Sequence, residues 1–236
     1  MVVLLMTYNL DFRNPDVPAT LAAIEAADAD IVLLQEVSSA WRDALRARFA
    51  RQYPHHAFHL FVRPSGGLAV LSKLPLEHDE LWDAPPGTGA WFPAERTVIA
   101  TGFGPLQLLN VHLRPARDGD SWIRGFMMTP NLRRAEIMAH WARLDPALPT
   151  IIAGDFNEDA TGRAVDYLAE QGMTRLVTAG LPTWHYQVSN RGQSFDLLKM
   201  DIDHVMIDGR LIGSDARVLA TGTSDHRPVV VSIGAR

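Results

Sequence analysis

The chain has 236 residues, and 22 Lys and Arg against 27 Asp and Glu leave a formal charge of −5. Hydrophobic residues make up 47% and charged residues 21%, so a chain of this length can bury a large core without a disulfide or a structural metal. Cysteine is absent, which excludes a disulfide scaffold, a thiolate-held zinc or iron–sulfur centre and a thiol nucleophile.

The mild acidity argues against tight non-specific binding to a polyphosphate backbone, which Lys and Arg drive by releasing counterions. It permits an enzyme that makes a few local phosphate contacts. No apolar run approaches the roughly 18–20 residues of a membrane-spanning helix. The start, Met1 to Asn9, lacks the basic region of a signal peptide and runs straight into a strand, so a cytoplasmic location is the expectation. With no repeat, low-complexity tract or long linker, residues 1–236 read as one domain, and no obligate protein partner is evident.

In chain order, short runs rich in Val, Ile and Leu predict buried strands at 2–8, 31–35, 68–71, 98–100, 106–113, 150–153, 204–207 and 228–233. Most are continuously apolar, as in strands covered on both faces. Between them, Pro18 opens a predicted helix over 19–27 with Asp16 as its cap, and Ser38 or Ser39 caps one over 41–50. Thr129-Pro130 reads as a cap followed by proline at the first helical position, and Thr161 starts a helix that ends before Gly172. Gly66-Gly67, Pro85-Pro86-Gly87 and Gly104-Pro105 read as turns. The mixture of tight and helical connections predicts an α/β fold, a four-layer α/β sandwich of two mixed β-sheets packed face to face with helices outside.

The informative pattern is polar. Apolar strands repeatedly end in Asn, Glu, Asp or His, and strand ends converge on the rim of a sheet where sites are built. The first strand ends at Asn9. The second ends Leu34-Gln35-Glu36, where the glutamate is either a first residue back in solvent or a metal ligand. Alternation puts Asn110, His112 and Arg114 on one strand face. In Gly154-Asp155-Phe156-Asn157, an acid and an amide lie two apart on one face, a donor set suited to a hard cation or to a water and phosphate beside it, or else an Asx turn. Asp201 and Asp203 open a later strand. Asp225-His226 precedes the last, and such a pair can divide metal binding from acid–base work.

The ordered set resembles the endonuclease/exonuclease/phosphatase family, which includes deoxyribonucleases, AP endonucleases, sphingomyelinases, inositol polyphosphate 5-phosphatases and deadenylases. The resemblance rests on Asn9 in Thr-Tyr-Asn-Leu, Glu36 in Leu-Gln-Glu-Val, His112 in Asn-Val-His-Leu, Asp155 and Asn157 in Gly-Asp-Phe-Asn, Asp203 in Asp-Ile-Asp-His, and Asp225-His226 in Ser-Asp-His-Arg-Pro. It implies the two-sheet sandwich and a Mg²⁺- or Mn²⁺-dependent phosphoric ester hydrolase that cleaves phosphodiesters of nucleic acid or a small molecule with an activated water. A phosphomonoesterase or lipid phosphodiesterase is the alternative. A binding module that kept the fold would usually have lost an acid or histidine, and none of the set is lost here. Where AP endonucleases carry Tyr followed by Val-Pro-Asn, this chain has His112-Leu-Arg114-Pro115, nearer the deoxyribonuclease and sphingomyelinase branches.

By this resemblance Glu36 is the primary metal ligand, helped by Asn9 and Asp225. His226 is the general base or a phosphate contact, with Asp203 on its other ring nitrogen. Asp155 and Asn157 orient water and phosphate, His112 stabilises charge or protonates the leaving oxygen, and Arg114 holds phosphate oxygens with its planar fork. Residues 114–129 read as a long connection without regular structure. Five arginines against two aspartates give 114–134 a local charge of +3, and Trp122, Ile123, Phe126, Met127 and Met128 give it apolar character, either to cover a substrate or to fold back on the core. Trp91-Phe92 and Thr183-Trp184 read as core rather than ligand contacts. His55, His56 and His59 read as surface residues without matching carboxylates.

Overall fold

The computed structural model describes residues 2–116, 122–178, 180–190 and 193–236; for 122–127, 187–190 and 193–196 it describes the backbone alone. The elements are β1 (Val2–Asn9), α1 (Val17–Ala27), β2 (Ile31–Gln35), α2 (Ser39–Phe49), β3 (His55–His59), β4 (Leu68–Ser72), β5 (Leu76–Trp82), β6 (Ala94–Thr101), β7 (Gly104–His112), α3 (Trp122–Trp141), β8 (Thr150–Asp155), α4 (Arg163–Glu170), β9 (Thr174–Arg175), β10 (Trp184–Asn190), β11 (Gln193–Met200), β12 (Asp203–Ile207), β13 (Leu211–Val218) and β14 (Val229–Ala235). One six-stranded sheet has the order β13-β14-β1-β2-β4-β3 and the other β5-β6-β7-β8-β12-β9, while β10 and β11 form a separate ribbon. Both sheets are mixed. β1 pairs in parallel with β2 and antiparallel with β14, and β7 pairs in parallel with β8 and antiparallel with β6.

Three apolar layers follow from period-two alternation. Leu5, Leu33, Val70, Leu106, Leu108, Ile151, Ala153 and Val205 fill the space between the sheets. The alternate residues Met6, Tyr8, Val32 and Leu34 pack under Ile24 of α1 and Trp41, Leu45 and Phe49 of α2. Leu109, Val111, Ile152 and Met206 pack under Ile137 of α3 and Ala164, Val165 and Leu168 of α4. The strands are apolar on both faces because each sheet has a sheet on one side and helices on the other, which is the expected four-layer sandwich.

The cap readings hold locally: Asp16 accepts the Ala19 amide and Ser38 the Trp41 amide. Other boundaries are corrected. Residues 114–129 contain regular structure, since α3 begins at Trp122 and carries Pro130 in its interior rather than at its first position. A proline there forfeits one helical hydrogen bond. The turn is tied instead by Arg133, whose Nη1 donates to Thr129 Oγ1 at 2.8 Å and to the Arg114 carbonyl at 3.1 Å. Of the residues expected to give this stretch its character, Arg117 and the side chains of Trp122, Ile123, Arg124, Phe126 and Met127 lie outside those described, and Met128 is exposed. α4 starts at Arg163 after Gly162, because Thr161 turns back to Asp159. Strands β3, β5, β10, β11 and β13 gave no apolar run. β3, β5 and β13 lie at sheet edges and carry His, Asp, Glu and Ser, and the ribbon belongs to neither sheet.

Gly154 lies at the point where β8 passes β7. Its φ is +141°, and a Cβ there would collide with the Val111 carbonyl of the neighbouring strand. Gly154→Ala is expected to lower stability by about 3 kcal/mol or more in urea unfolding, through strain and overpacking together. A variant as stable as the parent would contradict this reading of the strand contact.

Candidate active site

The site follows from a change of residue type along the inner strand faces. β1 runs Val3, Leu5, Thr7, Asn9; β2 runs Ile31, Leu33, Gln35; β7 runs Leu106, Leu108, Asn110, His112; β8 runs Ile151, Ala153, Asp155. At one end of the sandwich, therefore, the space between the sheets turns polar while staying buried. A first polar layer closes the apolar core. Gln35 Nε2 donates to Thr7 Oγ1 at 3.0 Å and across the sheets to Asn110 Oδ1 at 2.7 Å, and Asn110 Nδ2 donates to the Leu34 carbonyl at 3.1 Å and to Glu95 Oε2 at 2.9 Å.

Above that floor lies Asp155, whose register partners are His112 on β7 and Asp203 on β12. Its Oδ1 accepts the Asn157 amide at 2.8 Å. Its Oδ2 accepts Asn9 Nδ2 at 3.0 Å and faces His112 Nε2 at 3.5 Å and His226 Nε2 at 3.6 Å. The first sheet, the second sheet and the loop before β14 therefore meet on one oxygen. Burial raises the Asp155 carboxyl above the usual range, and the two imidazoles oppose that shift.

Each histidine is oriented through its other nitrogen. His226 Nδ1 donates to Asp203 at 2.9 Å, and His112 Nδ1 donates to the Ser65 carbonyl at 2.8 Å. Burial alone would push His226 down, but Asp203 and Asp155 outweigh it and carry the imidazole well above its usual value of 6.5. Phe92 stacks on His112 with ring centroids 4.4 Å apart. Asp203 is placed by Thr183, whose Oγ1 accepts the amides of Ile202 at 2.9 Å and Asp203 at 3.1 Å. Ser224 Oγ accepts the His226 amide at 3.1 Å and donates to the Asn9 carbonyl at 2.8 Å, tying the last loop to β1.

Glu36 stands at the mouth with a φ of +61°. Its Oε1 accepts Asn9 Nδ2 at 3.3 Å and lies 4.0 Å from His112 Nε2, and its Oε2 accepts the Phe12 amide at 3.1 Å. Asn9 Oδ1 accepts the Asp11 amide at 3.0 Å, which sets the amide nitrogen toward the carboxylates. Asp225 Oδ2 accepts the Trp184 indole N–H at 3.0 Å. Asp11 lies in the field of Asp225 and Glu36, and its carboxyl is raised by burial first and then by those two charges.

The structure thus brings Asn9, Glu36, His112, Asp155, Asp203 and His226 into one network. Asn157, with a φ of +53°, gives its Nδ2 to the Leu113 carbonyl at 3.0 Å. Arg114, two residues after His112, is stacked 3.9 Å over the Trp91 ring with Nη1 donating to the Gly89 carbonyl at 2.6 Å. Arg133, from the basic stretch, is buried against Glu158 at 2.8 Å. Sequence reasoning did not assign roles to Ser65, Thr183, Ser224 or the Trp184 indole. Thr183 and Ser224 flank quoted motifs, but a backbone carbonyl such as that of Ser65 carries no residue signal. Asp155, Asp203 and His226 also offer ligand atoms close enough to share one metal ion. A surface cavity of about 530 Å³ beside Trp141, Asp145 and Arg210 is lined in part by Thr150, at the start of β8 and away from this network.

Buried, oriented acid–imidazole pairs at the rim of a two-sheet sandwich make a candidate site for acid–base chemistry. The model of the Endonuclease/Exonuclease/phosphatase family matches residues 6–226, and the chain belongs to that family, whose members are phosphoester hydrolases. It is 32% identical over 112 residues to the inositol phosphosphingolipids phospholipase C of Saccharomyces cerevisiae, an alignment covering 41% of this chain and 23% of the yeast protein. An endonuclease/exonuclease/phosphatase structure from Beutenbergia cavernae is similar with a TM-score of 0.71 and 17% identity, covering 99% of this chain and 72% of that one. Sphingomyelinase C from Streptomyces griseocarneus is similar with a TM-score of 0.65 and 20% identity, covering 98% and 99%. At these identities the two solved structures speak for the fold.

His204, beside Asp203, faces away from the site. Its Nε2 donates to the Glu158 carbonyl at 2.9 Å, and burial lowers its pKa to about 4. A histidine with a depressed folded value adds full stability above the unfolded value and loses it as pH falls toward the folded one. The stability of the wild type relative to a His204→Gln variant is therefore expected to fall by roughly 3 kcal/mol between pH 6.5 and 4. A difference independent of pH would contradict the neutral, buried imidazole.

Proposed function

We propose that this protein is a divalent-metal-dependent phosphodiesterase that cleaves its substrate with an activated water. The observation that carries the reading is Asp155 Oδ2 facing two imidazoles, each fixed through its other nitrogen. A buried carboxyl with a raised pKa is the stronger base, so Asp155 takes the proton of the attacking water while Asn157 helps orient that water. His226, held as a cation by Asp203, contacts the phosphate oxygens, and His112 stabilises charge there or protonates the leaving oxygen. Arg114, stacked on Trp91 two residues after His112, is the candidate contact for substrate oxygens beside the site.

The residues at the mouth fit a hard cation. Glu36 and Asp225 are oriented carboxylates, Asn9 holds Glu36 in place, and Asp11, raised first by burial, is raised further by both of those charges. Mg²⁺ or Mn²⁺ on Glu36 and Asp225 would supply Lewis-acid polarisation of a phosphoryl oxygen, with Asn9, whose Nδ2 faces Glu36, positioning that carboxylate instead of joining the ligands as expected. The Asp155–Asp203–His226 group is less suited to that ion, because the cationic His226 already offsets one of its two carboxylate charges and engages Asp203 through Nδ1.

A lipid diester is the second reading, favoured by one feature. The β10–β11 ribbon starts at Trp184, which bonds Asp225, and it exposes Tyr186, Leu197 and Leu198. An exposed apolar set rooted at a catalytic rim suits a substrate with acyl chains. The names of the yeast phospholipase C and the Streptomyces sphingomyelinase C point the same way.

Hydrolysis of bis-nitrophenyl phosphate, single-stranded DNA and phosphosphingolipid vesicles, each with Mg²⁺ and with chelator, tests the reading. At least one diester is expected to turn over only with the metal. Glu36→Gln, Asp155→Asn and His226→Gln should each cut kcat by about a hundredfold or more with the far-UV spectrum unchanged. Two of the three retaining near-normal rates would overturn the assignment.

A further inference from the structure

A second cluster lies beside the polar floor rather than in the hydrolytic network. His59 ends edge strand β3 of one sheet, while Asp79 on edge strand β5 and Glu95 on β6 belong to the other. This corrects the expectation that His59 is a surface residue without a carboxylate. His59 Nε2 is 2.7 Å from Asp79 Oδ2 and 3.7 Å from Glu95 Oε1, and the three ligand atoms lie within 4.8 Å of one another. Edge strand β5, which carries Asp79, gave no apolar run to read, and the run read at 98–100 stops short of Glu95 at the start of β6.

Both carboxylates are oriented from behind. Thr97 Oγ1 donates to Asp79 Oδ1 at 3.3 Å and Asn110 Nδ2 to Glu95 Oε2 at 2.9 Å, which turns the other oxygens toward His59. Such hydrogen bonds behind the ligand atoms are the usual support of a metal site. Glu95 is completely buried, and its Oε1 has no hydrogen-bond partner. A desolvated carboxylate oxygen without a donor is costly unless a cation compensates it. Among the described residues the group set against Glu95 is His59, at 3.7 Å, and no Lys or Arg pairs with it; the nearby Arg96 is held by Glu80 and Gln107. His59 and Asp79 are each 21% exposed, so an ion has a path from solvent.

We propose that His59, Asp79 and Glu95 form a binding site for a divalent transition-metal ion, distinct from the hydrolytic centre, that fastens the edges of the two sheets together. One imidazole nitrogen with two carboxylate oxygens suits Zn²⁺ better than Mg²⁺ or Ca²⁺. Bonds of about 2.0–2.2 Å in tetrahedral geometry set ligand atoms about 3.3 Å apart, between the two separations seen here. Binding releases two protons to solvent, the Nε2 proton of His59 and that of the Glu95 carboxyl, which burial raises to about 8, and water completes the coordination on the exposed side. Through Glu95 and Asn110 the ion would also brace the floor beneath His112.

Zinc titration calorimetry and thermal unfolding, both in excess Mg²⁺, test this on the full chain. The wild type and Glu36→Gln, altered only at the hydrolytic mouth, are expected to bind one equivalent of Zn²⁺ and to melt several degrees higher with it. His59→Ala and Asp79→Asn are expected to bind it about tenfold more weakly or worse and to lose the thermal shift. No zinc binding by the wild type, undiminished binding by both cluster variants, or loss of binding in Glu36→Gln alone would each overturn the proposal. None of these outcomes bears on phosphodiester turnover, so the two readings fail separately.

Discussion

One buried carboxylate organises this molecule. Asp155 ends a central strand of the second sheet, fully enclosed, and its charge is met by an amide from the first sheet and by imidazoles from β7 and from the loop before β14. Enclosing a carboxylate without such partners would cost several kcal/mol. The rim of the sandwich is therefore a place where separated chain segments must arrive together, because each supplies part of what makes burial of Asp155 tolerable. The same arrangement holds His226 cationic and His112 in one tautomer, so what stabilises the rim also prepares it for chemistry.

The two-sheet core makes this possible by being dry and stiff. Apolar residues fill the space between the sheets to within one strand position of the site, and the Gln35–Asn110 layer closes it. Asn9, His112, Asp155 and Asp203 stand on strands above that floor, with His112 packed by Phe92 and Asp203 placed by Thr183, while Glu36 and His226 reach it from loops. The helices pack on the outer faces and take no direct part; their contribution is to let every central strand be apolar on both sides.

Much of this was legible in the residues. Continuous apolar runs such as Ile31–Leu34 can lie only between two covered faces, and the change from Ala153 to Asp155 marks where such a strand reaches a rim. Their order along the chain pointed to the family and to its sandwich. What escaped had weak or shared signals. Edge strands β3 and β5 alternate too little to be seen, so the pairing of His59 with Asp79 and Glu95 was invisible. Pro130 looked like a helix start, because part of what carries the helix through it, the Arg133 bond to the Arg114 carbonyl, is tertiary. Thr183 and the Ser65 carbonyl act through backbone groups, which no residue pattern announces.

The cationic His226 is where fold and chemistry are most tightly joined, and it can be observed directly. ¹⁵N NMR titration of its ring nitrogens in the wild type and in Asp155→Asn measures the charge that the account depends on. The account predicts protonation of both nitrogens persisting well above pH 6.5 in the wild type and a clear downward shift in the variant. An imidazole titrating at or below 6.5, or one indifferent to the loss of the Asp155 charge, would contradict it.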